Sequence, residues 1–250
     1  MAGPADYCRK SSERHFQMSD VDGVVFGAGG GVGFECVQHL LRKGNNVRAV
    51  VRSPEKYKDK FPKSDLLTVA KGDVTDAASI KEMMQGAKGA IFAASGSTYW
   101  SASSVDFQGV EKVAQAATEK QRVVLCSSAL VTPKNRWNPI RIILNNVRWA
   151  LMDNKFKGEC ALRNSGKSFT IVRPGGLTNA AGGESKLITG QGDNMKPGSV
   201  SRADVAAVMV AALTTDAADK ITFELSSDKS EKPTGPPTDI FTGLKQGIFE

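Results

Sequence analysis

Three glycines, Gly27, Gly30 and Gly33, form the stretch of this chain with the clearest capacity for chemistry. They follow a short apolar run, Val24 to Phe26, and precede an amphipathic run from Cys36 to Leu41. Glycine lets backbone N–H groups approach a ligand, and a helix that begins after such a loop favours an anion at its N-terminus. The Gly-x-x-Gly-x-x-Gly spacing between strand and helix therefore predicts a dinucleotide pyrophosphate site, with an ordinary tight turn as the alternative.

The residues after the second predicted strand indicate which dinucleotide is bound. Asn46 to Val51 forms that strand, and Arg52 and Ser53 follow it, with Arg48 nearby. An acidic residue at this place binds the ribose 2′-hydroxyl of NAD, whereas an arginine accommodates the 2′-phosphate of NADP. The sequence therefore favours NADP; the alternative is that Arg52 is an ordinary surface arginine at a strand end.

Polar residues follow three further predicted strands at the point where each strand ends. They are Asp73 after residues 66–70, Ser95 and Gly96 after residues 90–94, and Ser127 and Ser128 after residues 123–126. Because α/β sheets bind ligands at the carboxyl ends of their strands, we expect these residues to share one edge with the glycine loop. Asp76 is accounted for as the N-cap of the next helix, which leaves Asp73 to contact a ligand.

A lysine, Lys155, extends the apolar face of the helix predicted to follow the fifth strand. The apolar positions of that face recur at helical spacing and are Ile140, Ile143, Leu144, Val147 and Leu151. A lysine on such a face must reach a polar or anionic partner or extend its ammonium to solvent. Its place beside the fifth strand favours a nicotinamide ribose as the partner, and extension to solvent at the helix end is the alternative.

The elements that must position these residues alternate along the chain. Strand and helix alternate from 21 to 173, which predicts an α/β fold with a Rossmann-type, doubly wound parallel sheet. A glycine-rich connection at 175–198 follows, and Ser201 with Asp204 forms an acidic variant of a capping box at the start of a further helix. Residues 221–225 complete the pattern as a final strand. Only this small C-terminal extension can cover a substrate, so we expect a shallow, open site.

The chain divides into three predicted parts. Residues 1–20 are polar, lack apolar periodicity and are expected to be a flexible N-terminal arm; residues 21–225 are expected to be the NAD(P)-binding Rossmann domain. Residues 226–250 form a proline-containing C-terminal tail. Disorder is the first expectation for that tail, and docking on a partner or on its own domain is the alternative suggested by its late apolar residues.

Composition excludes several classes of site. The four cysteines are scattered and form no C-x-x-C pair, so a disulfide framework or structural zinc site is not expected, and a reducing compartment is favoured. With only His15 and His39 present, histidine triads and imidazole metal sites lose their support, and we predict no metal site. No apolar run approaches the roughly 18 residues of a membrane span, so we expect a soluble protein.

The formal charge of +7 is concentrated in two segments. Residues 42–63 carry eight basic and two acidic residues, and residues 134–167 have the same balance. These segments are either solvated faces or surfaces for phosphates, an anionic substrate or an acidic protein partner, which the terminal arms could also contact. Nucleic acid is not expected, because no basic motif interleaved with aromatic residues is present.

Five segments together resemble one known family. They are the glycine loop, VRS at 51–53, GDVTD at 72–76, KFKGECALRNSGKSFTIVRPGGL at 155–177 and SVSRADVAAVMVAAL at 199–213. They are similar to the atypical short-chain dehydrogenase/reductases, and within these to the NmrA-like, NAD(P)-binding branch. That branch includes the translocon-associated NADPH-binding proteins of chloroplasts and relatives of divinyl reductases and flavin reductases. The resemblance covers residues 21–225 and implies a location in the plastid stroma, with the cytoplasm as the alternative.

The resemblance also implies a role for each residue of the cofactor site. The implied contacts are the pyrophosphate at Gly27, Gly30 and Gly33 with Val32 beside them, the 2′-phosphate at Arg52 and Ser53, the adenine at Asp73 and Val74, the ribose at Ala94, Ser95 and Gly96, the nicotinamide ribose at Lys155, and the nicotinamide end at Pro174, Gly175, Gly176 and Leu177. The cofactor implied is NADPH.

One departure from the family pattern bears on activity. Active members of the wider superfamily carry a tyrosine four residues before the lysine as general acid, whereas this chain has Leu151 there. Lys155 and Ser127 remain as catalytic candidates, but a serine cannot replace a phenol. The sequence thus predicts reduction of a flavin, quinone or conjugated substrate that takes its proton elsewhere. The alternative is a non-catalytic NADPH-binding scaffold or redox-sensing subunit of a larger complex.

Overall fold

The computed structural model describes residues 21–196 and 198–249, so the arm expected at 1–20 lies outside the described residues. The strands are β1 (Gly23–Phe26), β2 (Val47–Val51), β3 (Leu67–Lys71), β4 (Gly89–Phe92), β5 (Arg122–Cys126), β6 (Phe169–Pro174), β7 (Gly176–Thr178), β8 (Lys186–Gly190), β9 (Ser199–Ser201) and β10 (Ile221–Asp228). The α-helices are α1 (Gly31–Arg42), α2 (Ala77–Met84), α3 (Gln108–Ala116), α4 (Pro139–Val147), α5 (Leu151–Asn164) and α6 (Arg202–Ala212). A π-helical turn at Ser103–Phe107 leads into α3.

The sheet confirms the predicted fold class. In the part of the chain that the structure describes, eight strands form one sheet in the order β3-β2-β1-β4-β5-β6-β10-β8. All its pairs are parallel except that of β10 with β8, which makes β8 an antiparallel edge strand. The strand order reverses between β1 and β4, which is where α/β sheets open a crevice for ligands. The strands β7 and β9 pair separately, beyond the end of β6.

Helices cover both faces of this sheet. Successive side chains of a strand point to opposite faces, so Val25 of β1 packs with α1 and α6 while Val24 and Phe26 pack with α2, α3 and α5. Because both faces are covered, the central strands are nearly continuous apolar runs. Each fully buried valine or phenylalanine contributes roughly 1.5–3 kcal/mol to this packing.

Two predicted helix starts are confirmed by their caps. The side chain of Asp76 accepts a hydrogen bond from the backbone N–H of Ala78 at 2.9 Å, which fixes the start of α2. Ser201 Oγ accepts from the N–H of Asp204 at 2.9 Å and donates to the Asp204 carboxylate at 2.7 Å, as the acidic capping box predicts.

The predicted uninterrupted helix from Ile140 to Lys155 is wrong. Helix α4 ends at Val147, Arg148 is extended, and Ala150 takes a left-handed conformation with φ of 51° before α5 begins. Polar contacts between the two helices favour this break over the apolar periodicity. As a result, Ile140 is exposed rather than packed on the domain.

The C-terminal segment packs on the domain, where its composition favours disorder. Strand β10 continues to Asp228, three residues past the expected boundary at Leu225. Phe241 is buried and packs edge-on against Phe223, with ring centroids 5.9 Å apart. The docking of this segment on its own domain, weighed in the sequence as the alternative, is therefore what the structure shows for residues 226–249.

A buried arginine joins the C-terminal segment to the sheet. Arg173 of β6 is fully buried and pairs with Glu159 of α5, Nη2 lying 2.6 Å from Oε2. Its Nη1 donates to the backbone carbonyl of Phe249 at 2.9 Å and lies 3.5 Å from the carboxylate of Glu224. Burial lowers the pKa of Arg173, but the surrounding carboxylates outweigh burial and raise it overall, so the charge is retained.

Candidate functional site

The glycine loop between β1 and α1 is built so that two of its glycines are required by the fold. Gly27 has a φ of 79°, and a Cβ there would lie 2.5 Å from the backbone nitrogen of Ala94. A Cβ on Gly33 would clash with the carbonyl oxygen of Gly27. Gly30 differs, because the nearest atom to an added Cβ is Gly27 O at 3.4 Å. The protein itself does not demand a glycine at position 30, which leaves that space for a ligand.

The N-terminus of α1 fits an anion. Its first turn contains no acidic residue, and among the described residues no side chain caps it. The first amides of a helix lack partners within the helix and carry the positive end of its dipole. Together with the open space at Gly30, these amides fit the pyrophosphate of a dinucleotide.

A cleft of about 780 Å³ opens from this loop along the carboxyl ends of β1 to β4. It brings together eight of the predicted site residues, namely Gly27, Gly30, Arg52, Ser53, Asp73, Val74, Ala94 and Ser95. The predicted clustering of these residues at one sheet edge is therefore what the structure shows. Their contacts with a cofactor stay predictions.

The turn after β2 adds residues that sequence reasoning missed. Pro54 starts a 3₁₀ turn that returns the chain to the cleft, so that Lys56 and Tyr57 line it with Arg52 and Ser53. The Tyr57 ring covers Gly29, and a Cβ there would force the ring to move. This turn could have been predicted from the proline directly after Ser53, because proline there favours a tight turn over a continuing strand. Two exposed cations, Arg52 and Lys56, thus flank Ser53.

Arg48 does not belong to this cleft, and its use in support of NADP is wrong. Its side chain is buried and donates from Nη1 to the carbonyl oxygens of Met83 at 2.5 Å and Gln85 at 2.9 Å. Alternate residues of a strand point to opposite faces, so Arg48 satisfies the C-terminal carbonyls of α2 instead.

Asp73 lines the cleft and also shapes it. Its Oδ1 accepts from the backbone N–H and the hydroxyl of Thr75, both at 2.8 Å. The hydrogen bond from the Thr75 N–H is the main reason that the pKa of Asp73 lies below its ordinary value; the charges of Arg52 and Lys112 act in the same direction. A carboxylate therefore persists beside the proposed adenine position at neutral pH.

Lys155, whose side chain is 13% exposed, forms an ion pair with Asp106, a buried residue that sequence reasoning missed. Its Nζ lies 2.9 Å from Oδ1 of Asp106, whose Oδ2 accepts from the N–H of Gly96 at 2.8 Å. Burial lowers the pKa of Lys155, but the charge and hydrogen bond of Asp106, together with Cys126 and Glu159, outweigh burial and raise it overall, so the amine stays protonated. Asp106 continues the buried face of Val110 and Val113 at helical spacing, and that spacing could have revealed it.

Ser127 shares a small cavity with this pair. The cavity is also lined by Ala94 and Cys126, at the ends of β4 and β5. Ser127 is 6% exposed, and its Oγ has no hydrogen-bond partner among the residues that the structure describes. Leaving a buried hydroxyl unpaired is costly, and the cavity as it stands is too narrow to admit a water molecule. Ala94 lines both this cavity and the main cleft, so the two spaces are neighbours at that residue.

The other predicted residues lie outside these two spaces. Val32 is buried in α1, and the amide of Gly96 is used by Asp106. Beyond β6, the N–H of Gly175 donates to Leu225 and that of Gly176 to Gly198, at 2.9 and 2.8 Å. Pro174 is buried in β6, and Leu177 is half-exposed on β7.

Arg202 is a further residue that sequence reasoning did not single out. It starts α6, and its aliphatic stem packs against Gly31 at the start of α1, while Nη1 donates to Asn179 Oδ1 at 2.6 Å. The segment 199–213 resembles the family, and the arginine in that segment could have indicated a residue near the site. A guanidinium therefore lies beside the uncapped end of α1.

Comparison with known proteins agrees with a site of this kind. The sequence pattern of the family described as NAD(P)H-binding matches residues 27–216. This protein belongs to that NAD(P)H-binding family. Its fold and its structural relatives confirm the resemblance to atypical short-chain dehydrogenase/reductases, including the NmrA-like branch.

Three individual proteins are similar to this chain in sequence or structure. It is 31% identical over 234 residues to an uncharacterized chloroplastic protein of Arabidopsis thaliana, covering 88% of this chain and 81% of the relative. Sanguinarine reductase of Eschscholzia californica is 40% identical over 84 residues, which are 32% of this chain and 29% of that enzyme. The structure of ChuY, an anaerobilin reductase of Escherichia coli, superposes with a TM-score of 0.64 at 25% identity, over 82% of this chain and 96% of ChuY.

Proposed function

We propose that this NAD(P)H-binding protein is an NADPH-dependent reductase of a planar, conjugated acceptor such as a flavin, a quinone or a conjugated tetrapyrrole. The observation that carries the proposal is that the nucleotide cleft and the small cavity of Lys155 and Ser127 share Ala94 as a lining residue, so the two lie side by side. A dinucleotide whose pyrophosphate lies at the glycine loop would extend its nicotinamide end toward that cavity.

The preference for NADPH rests on the end of β2. Arg52 and Lys56 are exposed cations on either side of Ser53, and the cleft there holds no acidic residue that would bind a ribose 2′-hydroxyl from the β2 end. A 2′-phosphate is dianionic near neutral pH, so two cations and a hydroxyl favour it over the unphosphorylated ribose.

The chemistry divides between the cofactor and the chain. When bound, NADPH supplies a hydride for the acceptor. Among the chain's own residues, the amides of α1 bind phosphate, and the ammonium of Lys155, kept charged by Asp106, favours negative charge at the cavity. The Ser127 hydroxyl can donate one hydrogen bond there.

Residue 151 cannot supply the proton that the reduction needs. Leu151 is buried and has no proton to give, so the second hydrogen of the reduction comes from water or from a group on the acceptor. Conjugated acceptors suit such a site, because they spread the negative charge that hydride addition leaves until a proton arrives. Two relatives named as reductases, sanguinarine reductase and ChuY, support this choice.

A second candidate is a non-catalytic NADPH-binding subunit of a larger assembly, in which the nucleotide stabilises the fold or reports redox state. The observation that favours it is the combination of Leu151 with a lysine already neutralised by Asp106. For either function we propose a location in the plastid, supported by the chloroplastic relative from Arabidopsis.

The test combines nucleotide binding with turnover. Calorimetric titration of the purified chain with NADPH and NADH is followed by anaerobic stopped-flow oxidation of NADPH with FMN, a benzoquinone and biliverdin as acceptors. Tight NADPH binding with turnover of at least one acceptor supports the reductase. Tight binding without any turnover supports the second candidate, and absence of binding to either nucleotide overturns both.

A further inference from the structure

Helix α4 carries its apolar residues on the outside. Ile140, Ile143 and Val147, at i, i+3 and i+7, are 50%, 59% and 64% exposed. Residues at this spacing share one face of a helix, and on a surface helix that face ordinarily packs on the core. Here the usual orientation is reversed.

Specific polar contacts hold the reversed orientation. Arg141 is buried and its Nη2 lies 2.6 Å from Oδ1 of Asp153 on α5. Asn145 donates to Oδ2 of Asp153 at 3.1 Å and accepts from the N–H of Met152 at 2.7 Å. Leu144 packs against the small apolar cluster that contains Met152. The inward face of α4 is thus defined by Arg141, Leu144 and Asn145, so the exposed isoleucines are a consequence of defined packing.

Aromatic residues extend this exposed face. The Tyr99 and Trp100 rings pack edge-on at 4.7 Å, and Trp149 lies 5.7 Å from Trp100. The N–H of Trp149 donates to the carbonyl of Tyr99 at 2.9 Å, which ties the two segments together. Trp137 precedes α4 and is 77% exposed. All three tryptophans of the sequence are therefore exposed: Trp137 and Trp149 flank α4, and Trp100 packs against Trp149.

We call this set the α4 surface, which comprises Tyr99, Trp100, Trp137, Ile140, Ile143, Val147 and Trp149. Soluble monomers rarely expose apolar patches of this extent unless the patch binds something. Its edge carries three basic residues that are not buried, Lys134, Arg136 and Arg148, whereas Arg141 is buried and paired with Asp153. Of these, Arg136 is exposed with its guanidinium 5.6 Å from the Trp137 ring, and Arg148 follows the last turn of α4.

We propose that the α4 surface docks on an anionic lipid bilayer, with its isoleucines, valine and tryptophans at the boundary of headgroups and acyl chains. An apolar helix face bordered by tryptophan and basic residues is the pattern of helices that lie in a membrane interface. Such residues place aromatic rings at headgroup depth and cationic side chains on lipid phosphates. The contact is peripheral, since in the described part of the chain no helix is long and apolar enough to cross a bilayer.

Charge favours lipid over a second copy of the chain. A symmetric dimer through this surface would bring Lys134, Arg136 and Arg148 of both copies together, while the neighbouring Asp153 is already paired with Arg141. An anionic bilayer instead supplies the opposite charge along the whole edge, and each basic residue near it adds attraction that salt weakens.

The test is sedimentation of the full chain with vesicles, using phosphatidylcholine alone and phosphatidylcholine mixed with phosphatidylglycerol. We expect binding to the mixed vesicles, a blue shift of tryptophan emission on binding, and release at high salt. A double variant, Ile143→Ser with Val147→Ser, is expected to lower the partition coefficient by roughly tenfold or more, since each change removes an aliphatic group from the interface. Ile188→Ser, at a 38% exposed isoleucine of β8, is the matched control and is expected to bind as the wild type does.

Several outcomes would overturn the proposal. Equal sedimentation with both kinds of vesicle, or unchanged binding by the double variant, would show that the α4 surface does not recognise an anionic bilayer. Dimerisation without lipid that the double variant abolishes would assign the surface to a second copy. Unchanged NADPH binding or, failing that, unchanged circular dichroism shows that the variants are folded, so loss of sedimentation reports the surface.

Discussion

The ammonium of Lys155 lies 2.9 Å from the carboxylate of Asp106, in the interior between the turn that precedes α3 and helix α5. The other oxygen of that carboxylate accepts from the amide of Gly96 at the end of β4. One acidic side chain therefore holds the lysine in a charged state and fixes the loop next to the nucleotide cleft.

Asp106→Asn is expected to lower the free energy of unfolding by about 3 kcal/mol, because it leaves the buried ammonium without an opposite charge. Thermal and urea denaturation of the purified variant measure this loss. Asp65→Asn, at an exposed position, serves as the control and is expected to change stability by less than about 0.5 kcal/mol. Equal effects of the two changes would show that the ion pair contributes nothing specific.

The same variant is expected to acquire a new dependence of stability on pH. In the wild type, the pKa of Lys155 is raised above 10.5, so its contribution is complete below that pH and is lost only as pH rises through the folded value. In Asp106→Asn, burial without the carboxylate lowers the pKa of Lys155. Protonation then opposes folding, and the variant should gain stability relative to wild type as pH rises toward the ordinary lysine pKa of about 10.4. If the free energy of unfolding depended on pH in the same way in both proteins, this prediction would be contradicted.

Arg52→Ala is expected to weaken NADPH binding by roughly tenfold to hundredfold, as expected for losing a charge-assisted hydrogen bond to phosphate. NADH binding should not change, because NADH lacks the 2′-phosphate. Lys56→Ala should act in the same direction. Isothermal titration with both nucleotides measures the effect, and Arg42→Ala, at an exposed arginine of α1, is the control. Equal loss of NADPH and NADH affinity would place Arg52 elsewhere than at the 2′-phosphate.

Two glycines of the loop are expected to respond differently to alanine. Gly27→Ala should destabilise the fold by more than about 2 kcal/mol, because its φ of 79° is unfavourable for alanine and its Cβ would press on Ala94. Gly30→Ala should leave the melting temperature nearly unchanged and weaken nucleotide binding by roughly tenfold or more, because its methyl group occupies ligand space. Thermal melts and nucleotide titrations of both variants decide the point. Normal nucleotide affinity in Gly30→Ala would show that the pyrophosphate does not approach there.

Much of the fold is predictable from local patterns. Apolar runs such as Val24 to Phe26 locate the central strands, and capping residues such as Asp76 and Ser201 locate helix starts, because each signal depends on neighbours in the sequence. The glycine loop, Arg52 and Asp73 were also identifiable, since carboxyl ends of parallel strands must meet at one edge.

The remaining features depend on contacts between distant segments. Apolar periodicity predicts that Ile143 is buried, but the pairing of Arg141 with Asp153 rotates α4 and exposes it. The partner of Lys155 is Asp106, 49 residues earlier in the sequence, and no local pattern states that pairing. Arg48 is similar, because the carbonyls that it satisfies belong to a different helix.

The carbonyl oxygen of Phe249, which accepts from the buried guanidinium of Arg173, has a consequence for synthesis of the protein. During translation, β6 leaves the ribosome before residue 249 does, so Arg173 gains the last of its acceptors only after the segment at 226–249 has been synthesised and has docked.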